Sequence, residues 1–472
     1  MKSFDIAVIG SGIGGSLIAA LNSHKNTILF EKDKNLGGCA STFKRHGAYF
    51  NTGATTLVGY EEGHILKKQF DSIGIVPKIV KNDVAIRVIQ NNNIVERVKD
   101  FDRFLDNINK VYPNQNNKLF WKMIKDIDSK FWRLKKIYFG KFDFFKYMKT
   151  ANFLAELLSV YKFDLFKSAT SFIYEILGEI SVEYKNFIDA QLLITIQTTS
   201  KDISLLSLAL GLSYPFHDVF YVNGGMGSLI EDIVKNVEVK KNEAIAKIIY
   251  DNSSWIIKSK DNEYRTKKLV LNSSIYQSDS LFDNDQIKKY YKSFSFSDQS
   301  AFVFYLTINS DDIFCEHYQF IYDELLPNCI SNSFFVSFSQ KDDEKLSKKG
   351  YSVTISTHTK ALFWKNLSKE NYEEEKKVTE NFILEKLMEY FVNIKKEQII
   401  HAFSGTSTTF QKYIGRYNCG GKAIGFKNLT QLPSCNTPFK GLYNVGDTVF
   451  AGQGWPGIAL GVDVLNKELN EI

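Results

Sequence analysis

Gly10, Gly12 and Gly15 stand in a G-x-G-x-x-G spacing, and Glu31 follows some way downstream. Each residue type suits one task. Gly10 permits a tight turn, Gly12 lets the backbone approach a pyrophosphate, and Gly15 lets a helix pack closely on a strand. A diphosphate would then sit at the positive N-terminus of that helix. An acid about 20 residues beyond the first glycine accepts a ribose hydroxyl, and an acid rather than a base there disfavours a 2′-phosphate and hence NADP. The elements needed to position these residues are present in order. Residues 4–9 read as a buried parallel strand, 16–21 as a helix and 27–30 as a second strand closing on Glu31.

Two further glycine-rich runs could complete such a site. Gly37-Gly38-Cys39-Ala40-Ser41 and the following Gly47 to Thr55 leave backbone donors free for a phosphate or a cofactor edge. Far downstream, a strand ends at Gly446 with Asp447 placed to accept a ribityl or ribose hydroxyl, and Gly452 to Gly457 open a last helix from Ile458 to about Leu469. The turn at Asn223-Gly224-Gly225-Met226-Gly227 starts another helix, with Asn223 as its expected cap. There is no HExxH, no Ser-His-Asp arrangement and no paired catalytic carboxylates, so no catalytic residue and no metal ligand is named. His46, His217, His358 and His401 read as surface or structural residues, and Asp189, Gln191 and Gln197 as satisfying one another or the backbone.

At 472 residues the chain exceeds the size at which one core stops growing, so two domains are expected. The 38 Phe and 24 Tyr can line a large apolar site. A formal charge of +6 does not indicate nucleic acid, but residues 119–149 hold nine basic side chains against Asp126, Asp128 and Asp143. Phe120, Ile124, Ile127, Phe131, Leu134 and Tyr138 form a helical stripe there, opposite lysines and next to Trp121, Trp132 and Phe142 to Tyr147. That pattern suits a helix lying on an anionic membrane surface, without crossing it. Five cysteines without a CxxC suggest a reducing, cytoplasmic compartment, and no secretory signal is expected. Strands are expected at 302–308, 334–338 and 351–356, and a charged helix runs to about residue 392.

The fingerprint, the acid, GGCASTF and the G-x-x-F-N-x-G-A-T run together resemble FAD-dependent carotenoid desaturases and carotenoid isomerases, within the amine-oxidase-like flavoproteins. Many relatives carry Arg after the glycine doublet; Cys39 stands there in this chain, as in the desaturase and isomerase branch. The resemblance implies an α/β fold with a Rossmann-like FAD domain built from residues 1–76, 217–277 and 399–472. A mixed α+β substrate and membrane domain of 77–216 and 278–398 is inserted into it. It implies FAD contacts from Gly10, Gly12, Ile13, Gly14, Gly15, Glu31, Lys32, Gly37, Gly38, Cys39, Ala40, Ser41, Gly446, Asp447, Gly457 and Ile458, with Ile245 meeting the adenine through its backbone. The implied activity is desaturation of a carotenoid or other polyisoprenoid, with hydride passing to flavin N5 and on to a quinone or oxygen, or cis-trans isomerisation. A retinol-saturase-like reduction and a non-catalytic polyisoprenoid-binding protein are the alternatives. Peripheral attachment to the inner face of the membrane is expected.

Overall fold

The computed structural model describes residues 1–295, 298–421 and 432–470; the expected third FAD segment therefore includes stretches, 422–431 and 471–472, outside the described residues. Two seven-stranded sheets organise the chain. In the first, Thr27–Phe30, Lys2–Ile9, Glu263–Leu271 and Leu442–Asn444 lie side by side and parallel, with Glu238–Lys240 on the outer edge of Thr27–Phe30. Strands buried on both faces must be apolar throughout, and Ile6, Ala7, Val8, Ile28, Leu29, Leu269, Val270 and Leu271 are all at most 1% exposed. Lys247–Asp251 and Ser254–Lys258 extend this sheet as an antiparallel meander. Strands from the beginning, middle and end of the sequence thus share one sheet, whose two faces are covered by separate apolar cores.

The second sheet runs in the order Ile399–Gly405, Ser300–Ile308, Tyr351–Thr359, Ser333–Phe338, His317–Ile321, Val84–Gln90 and Asn93–Val98. It is antiparallel except where His317–Ile321 lies parallel to Val84–Gln90. Its three expected strands are joined by four that local pattern did not reveal. One of these, Ile399–Gly405, falls within the segment expected to belong wholly with the first sheet, yet hydrogen-bonds to Ser300–Ile308 in the second.

Helices Asn117–Phe131, Ala169–Leu177, Val182–Ile196 and Leu205–Leu212 pack into a third core. Here the expected lipid-facing stripe turns inward: Phe120, Trp121 and Ile124 are 0% exposed. Arg97 is also fully buried there, donating to Gln191 Oε1 at 3.0 Å and to the Leu212 carbonyl at 2.6 Å. The rings of Phe104, Trp121, Phe187 and Phe216 surround its guanidinium. Burial pushes this arginine down to about 9. The exposed aromatics lie instead on and beside the next helix, Phe144–Tyr161, where Phe144 is 70% and Phe145 73% exposed while Phe153 and Leu157 pack inward. No helix among the described residues is long and apolar enough to cross a membrane.

Two buried histidines contribute to the pH response of the fold. Burial pushes His317 down to about 3 and His358 down to about 4. In the unfolded chain both would bind a proton near pH 6.5. Their depressed values therefore cost nothing above that pH and remove stability as pH falls below it. Urea unfolding at pH 6 and pH 5 should give a clear loss for the native chain, and His358→Gln should remove roughly 1 kcal/mol of that difference.

Candidate functional site

Lys2–Ile9 ends at Gly10, whose φ of +97° allows the chain to turn straight into the helix Ile13–Leu21. That helix has no side-chain cap and no acid in its first turn. Its first amide donors are therefore open to an anionic ligand. The glycines here answer to one side chain, Asn272, just beyond the strand Glu263–Leu271. A Cβ on Gly12 would lie 2.6 Å from Asn272 Nδ2, one on Gly14 3.0 Å from Oδ1, and one on Gly446 2.8 Å from Oδ1. A Cβ on Gly15 would stand 2.0 Å from the Gly10 carbonyl oxygen and 3.0 Å from Asn272 Cβ. Any side chain at Gly15 would thus break the packing of helix on strand.

Glu31 closes the second strand, 8% exposed, and ties the neighbouring turns together. Its Oε2 accepts from Ser11 N at 3.0 Å and Ser11 Oγ at 2.6 Å, and its Oε1 from Asp33 N at 3.0 Å. Ser11 Oγ in turn accepts from Gly37 N at 3.0 Å, so the acid orders the glycine doublet as well as offering its remaining lone pairs. Beside it, burial lowers the Lys32 ammonium from its usual range, and Glu31 and Asp33 oppose that shift. After the doublet, Cys39 Sγ accepts from Arg416 Nη2 at 3.0 Å. Arg416 also grips Asp447 with both nitrogens, at 2.7 and 2.8 Å. Both Asp447 oxygens are thereby engaged, and a sugar hydroxyl would have to share this carboxylate with Arg416.

These groups surround one cavity of about 650 Å³, within the usual size of a cofactor site. Gly10, Gly12, Ile13, Gly14, Glu31, Lys32, Gly37, Gly38, Cys39, Ala40, Ser41, Ile245, Gly446, Asp447 and Ile458 all line it. Gly15 and Gly457 do not; Gly15 packs on Gly10, and a Cβ on Gly457 would meet the Gly452 backbone at 3.2 Å. Uncapped amides, glycines that keep side chains away and a buried acid at the ribose distance make a donor set that fits a dinucleotide. The same lining includes the rings of Phe43, Tyr305, Phe403 and Phe410, of which Tyr305 and Phe403 stand on the second sheet.

Local pattern did not reveal Asn272, Tyr305 or Phe403 as site residues. Asn272 carries one usable signal, since it follows a strand beside the fingerprint strand, at the carboxyl end where such sheets bind ligands. Asp189, Gln191 and Gln197 lie outside the cavity lining. Asp189 pairs with Lys185 and the Ser200 amide, Gln191 with Gln319 and Arg97, and Gln197 with His358 and Gln299. A second cluster, Glu61, His64 and His217, brings potential metal-ligand atoms within 4.8 Å of one another. Two of its members are already paired, His217 Nε2 with Asp128 at 2.8 Å and Glu61 with Lys99 at 3.2 Å.

Residues 8–73 match the NAD(P)-binding Rossmann-like domain. Over 97% of its length the chain is 23% identical to a chloroplastic prolycopene isomerase of Daucus carota, covering 78% of that protein. It is 22% identical to an all-trans-retinol 13,14-reductase of Danio rerio across 99% of this chain and 87% of the relative. A putrescine oxidase variant superposes with a TM-score of 0.64 at 13% identity, over 99% of this chain and 98% of that one, which gives the fold.

Glu31 should be the most sensitive carboxylate of the site. Loss of a charge-assisted hydrogen bond costs roughly 1.5–3 kcal/mol, so Glu31→Ala should bind FAD about 10- to 100-fold more weakly in a titration of the apoprotein. Unchanged affinity would remove Glu31 from the binding set.

Proposed function

We propose that this chain, an FAD-dependent enzyme of the carotenoid isomerase and desaturase superfamily, acts on a carotenoid or related polyisoprenoid polyene as a geometric isomerase. The observation that carries this reading is the mixed lining of the cavity, which combines a glycine and amide cradle with the rings of Phe43, Tyr305, Phe403 and Phe410. Flat aromatic walls suit a flat conjugated chain and keep water from it.

Bound FAD supplies the electron exchange. The protein's share is to hold and orient. Open amides of the Ile13–Leu21 helix would take the diphosphate, and Glu31 a ribose hydroxyl. Among the described residues the cavity lining holds no histidine, and its carboxylates are Glu31, Asp33, Glu243 and Asp447. Tyr305 donates its hydroxyl to the Thr52 carbonyl at 2.6 Å, and burial pushes its pKa far up, so it stays protonated. The similarity over 97% of the chain to a prolycopene isomerase supports isomerisation over the desaturase alternative. The full-length similarity to a retinol reductase supports polyene saturation as the second reading.

The substrate's insolubility makes a membrane the natural source. We place the chain peripherally on the cytoplasmic face, with Phe144, Phe145, Tyr147 and Phe163 entering the interface among lysines. Phe144→Ser with Phe145→Ser should abolish most flotation with anionic liposomes, whereas Lys122→Gln, on the Asn117–Phe131 helix, should not; equal flotation of both variants would count against this surface.

An anaerobic assay with a cis-polyene in liposomes tests the activity. Conversion to the trans isomer only after the flavin has been reduced, with no net flavin oxidation, is the expected result. Bleaching of oxidised flavin with a longer conjugated product would indicate desaturation, and oxidation of reduced flavin with a shortened chromophore would indicate saturation.

A further inference from the structure

Arg416 is the one buried cation among the five that line the cavity; Lys32, Lys34, Lys44 and Arg45 are exposed. Both of its anchors adjoin glycines that lie close to the fingerprint. Cys39 sits on the turn Gly38–Ala40, where a Cβ on Gly38 would lie 3.8 Å from Gly12 Cα. Asp447 follows Gly446, whose amide nitrogen would stand 3.1 Å from a Cβ on Gly14. The guanidinium is therefore held beside the place where the uncapped helix end and the glycine turn would take an anion. Of its five N–H groups, two serve Asp447 and one serves Cys39. Two are left with no partner among the described residues. A buried arginine already neutralised by Asp447, yet retaining donors in a cavity, is arranged to bind a further anion.

We propose that Arg416 is the side chain that binds the diphosphate of FAD, presented by Asp447 and Cys39 so that the cofactor links the two ends of the chain. Lys32 is the rival, but its ammonium reaches back to the Lys412 carbonyl at 3.3 Å. The proposal rests on the cofactor and not on the choice of polyene, so its failure would leave the isomerase reading standing.

The test is titration of FAD, and separately ADP, into the deflavinated full chain, with circular dichroism to establish folding. Arg416→Gln should weaken FAD and ADP alike by tenfold or more, and Arg416→Lys by several-fold, because an ammonium cannot reproduce the planar fork. Arg416→Gln combined with Asp447→Asn should remain weak. Recovery of native affinity in that double variant would overturn the proposal, since Arg416 would then serve only to neutralise Asp447. So would a loss for FAD with unchanged ADP binding, which would place the guanidinium away from the diphosphate. If Arg416→Gln does not fold, Arg416→Lys decides: ADP affinity equal to the native chain overturns the proposal, and a loss of threefold or more supports it.

Discussion

Close approach of backbone at Asn272 is the constraint on which the site depends. Gly10, Gly12, Gly14 and Gly15 from one end of the chain, and Gly446 from the other, all lie against this one side chain. A Cβ at Gly12 or Gly446 would fall under 3.0 Å from its amide. The parallel pairing of Lys2–Ile9 and Leu442–Asn444 on either side of Glu263–Leu271 brings the two ends to it. The glycine pattern at the N-terminus is thus half of a joint whose other half is more than 400 residues away. Asn272 makes no side-chain hydrogen bond among the described residues, which leaves its amide available to whatever fills the cradle.

What was legible in the sequence follows from where the information lies. The fingerprint, Glu31, the glycine doublet and Gly446-Asp447 were readable because each is a short strand-turn-helix or turn signal with its own steric reason. The parallel strands were readable as continuous apolar runs. Asn272 and Tyr305 were not, because nothing local to either residue distinguishes it; only the pairing of distant strands makes them site residues. The helix Asn117–Phe131 teaches a related lesson. Its apolar stripe was real, but periodicity reports that a face is covered, not by what, and here the cover is the protein's own core. The strand Ile399–Gly405 likewise joined the second sheet because edge pairing with Ser300–Ile308 decided its place, which composition does not encode.

The two sheets divide the work. The first supplies rigidity and a polar cradle at the carboxyl ends of its parallel strands, as open α/β sheets do. The second supplies aromatic surface: Tyr305 and Phe403 stack at 5.0 Å on adjacent strands, and Phe43 meets Tyr305 edge-on at 5.2 Å. Phe43 comes from the short ribbon that follows the glycine doublet, so Gly37 to Ser41 and Phe43 enter the same cavity lining within a few residues of chain.

The central claim is that one cofactor is held between both ends of the sequence. Hydrogen exchange of the apoprotein before and after FAD addition tests it most directly. Simultaneous slowing of amides in 10–16, 37–41 and 446–449 is the result this account predicts. Slowing confined to 10–16, with 446–449 unchanged, would contradict it.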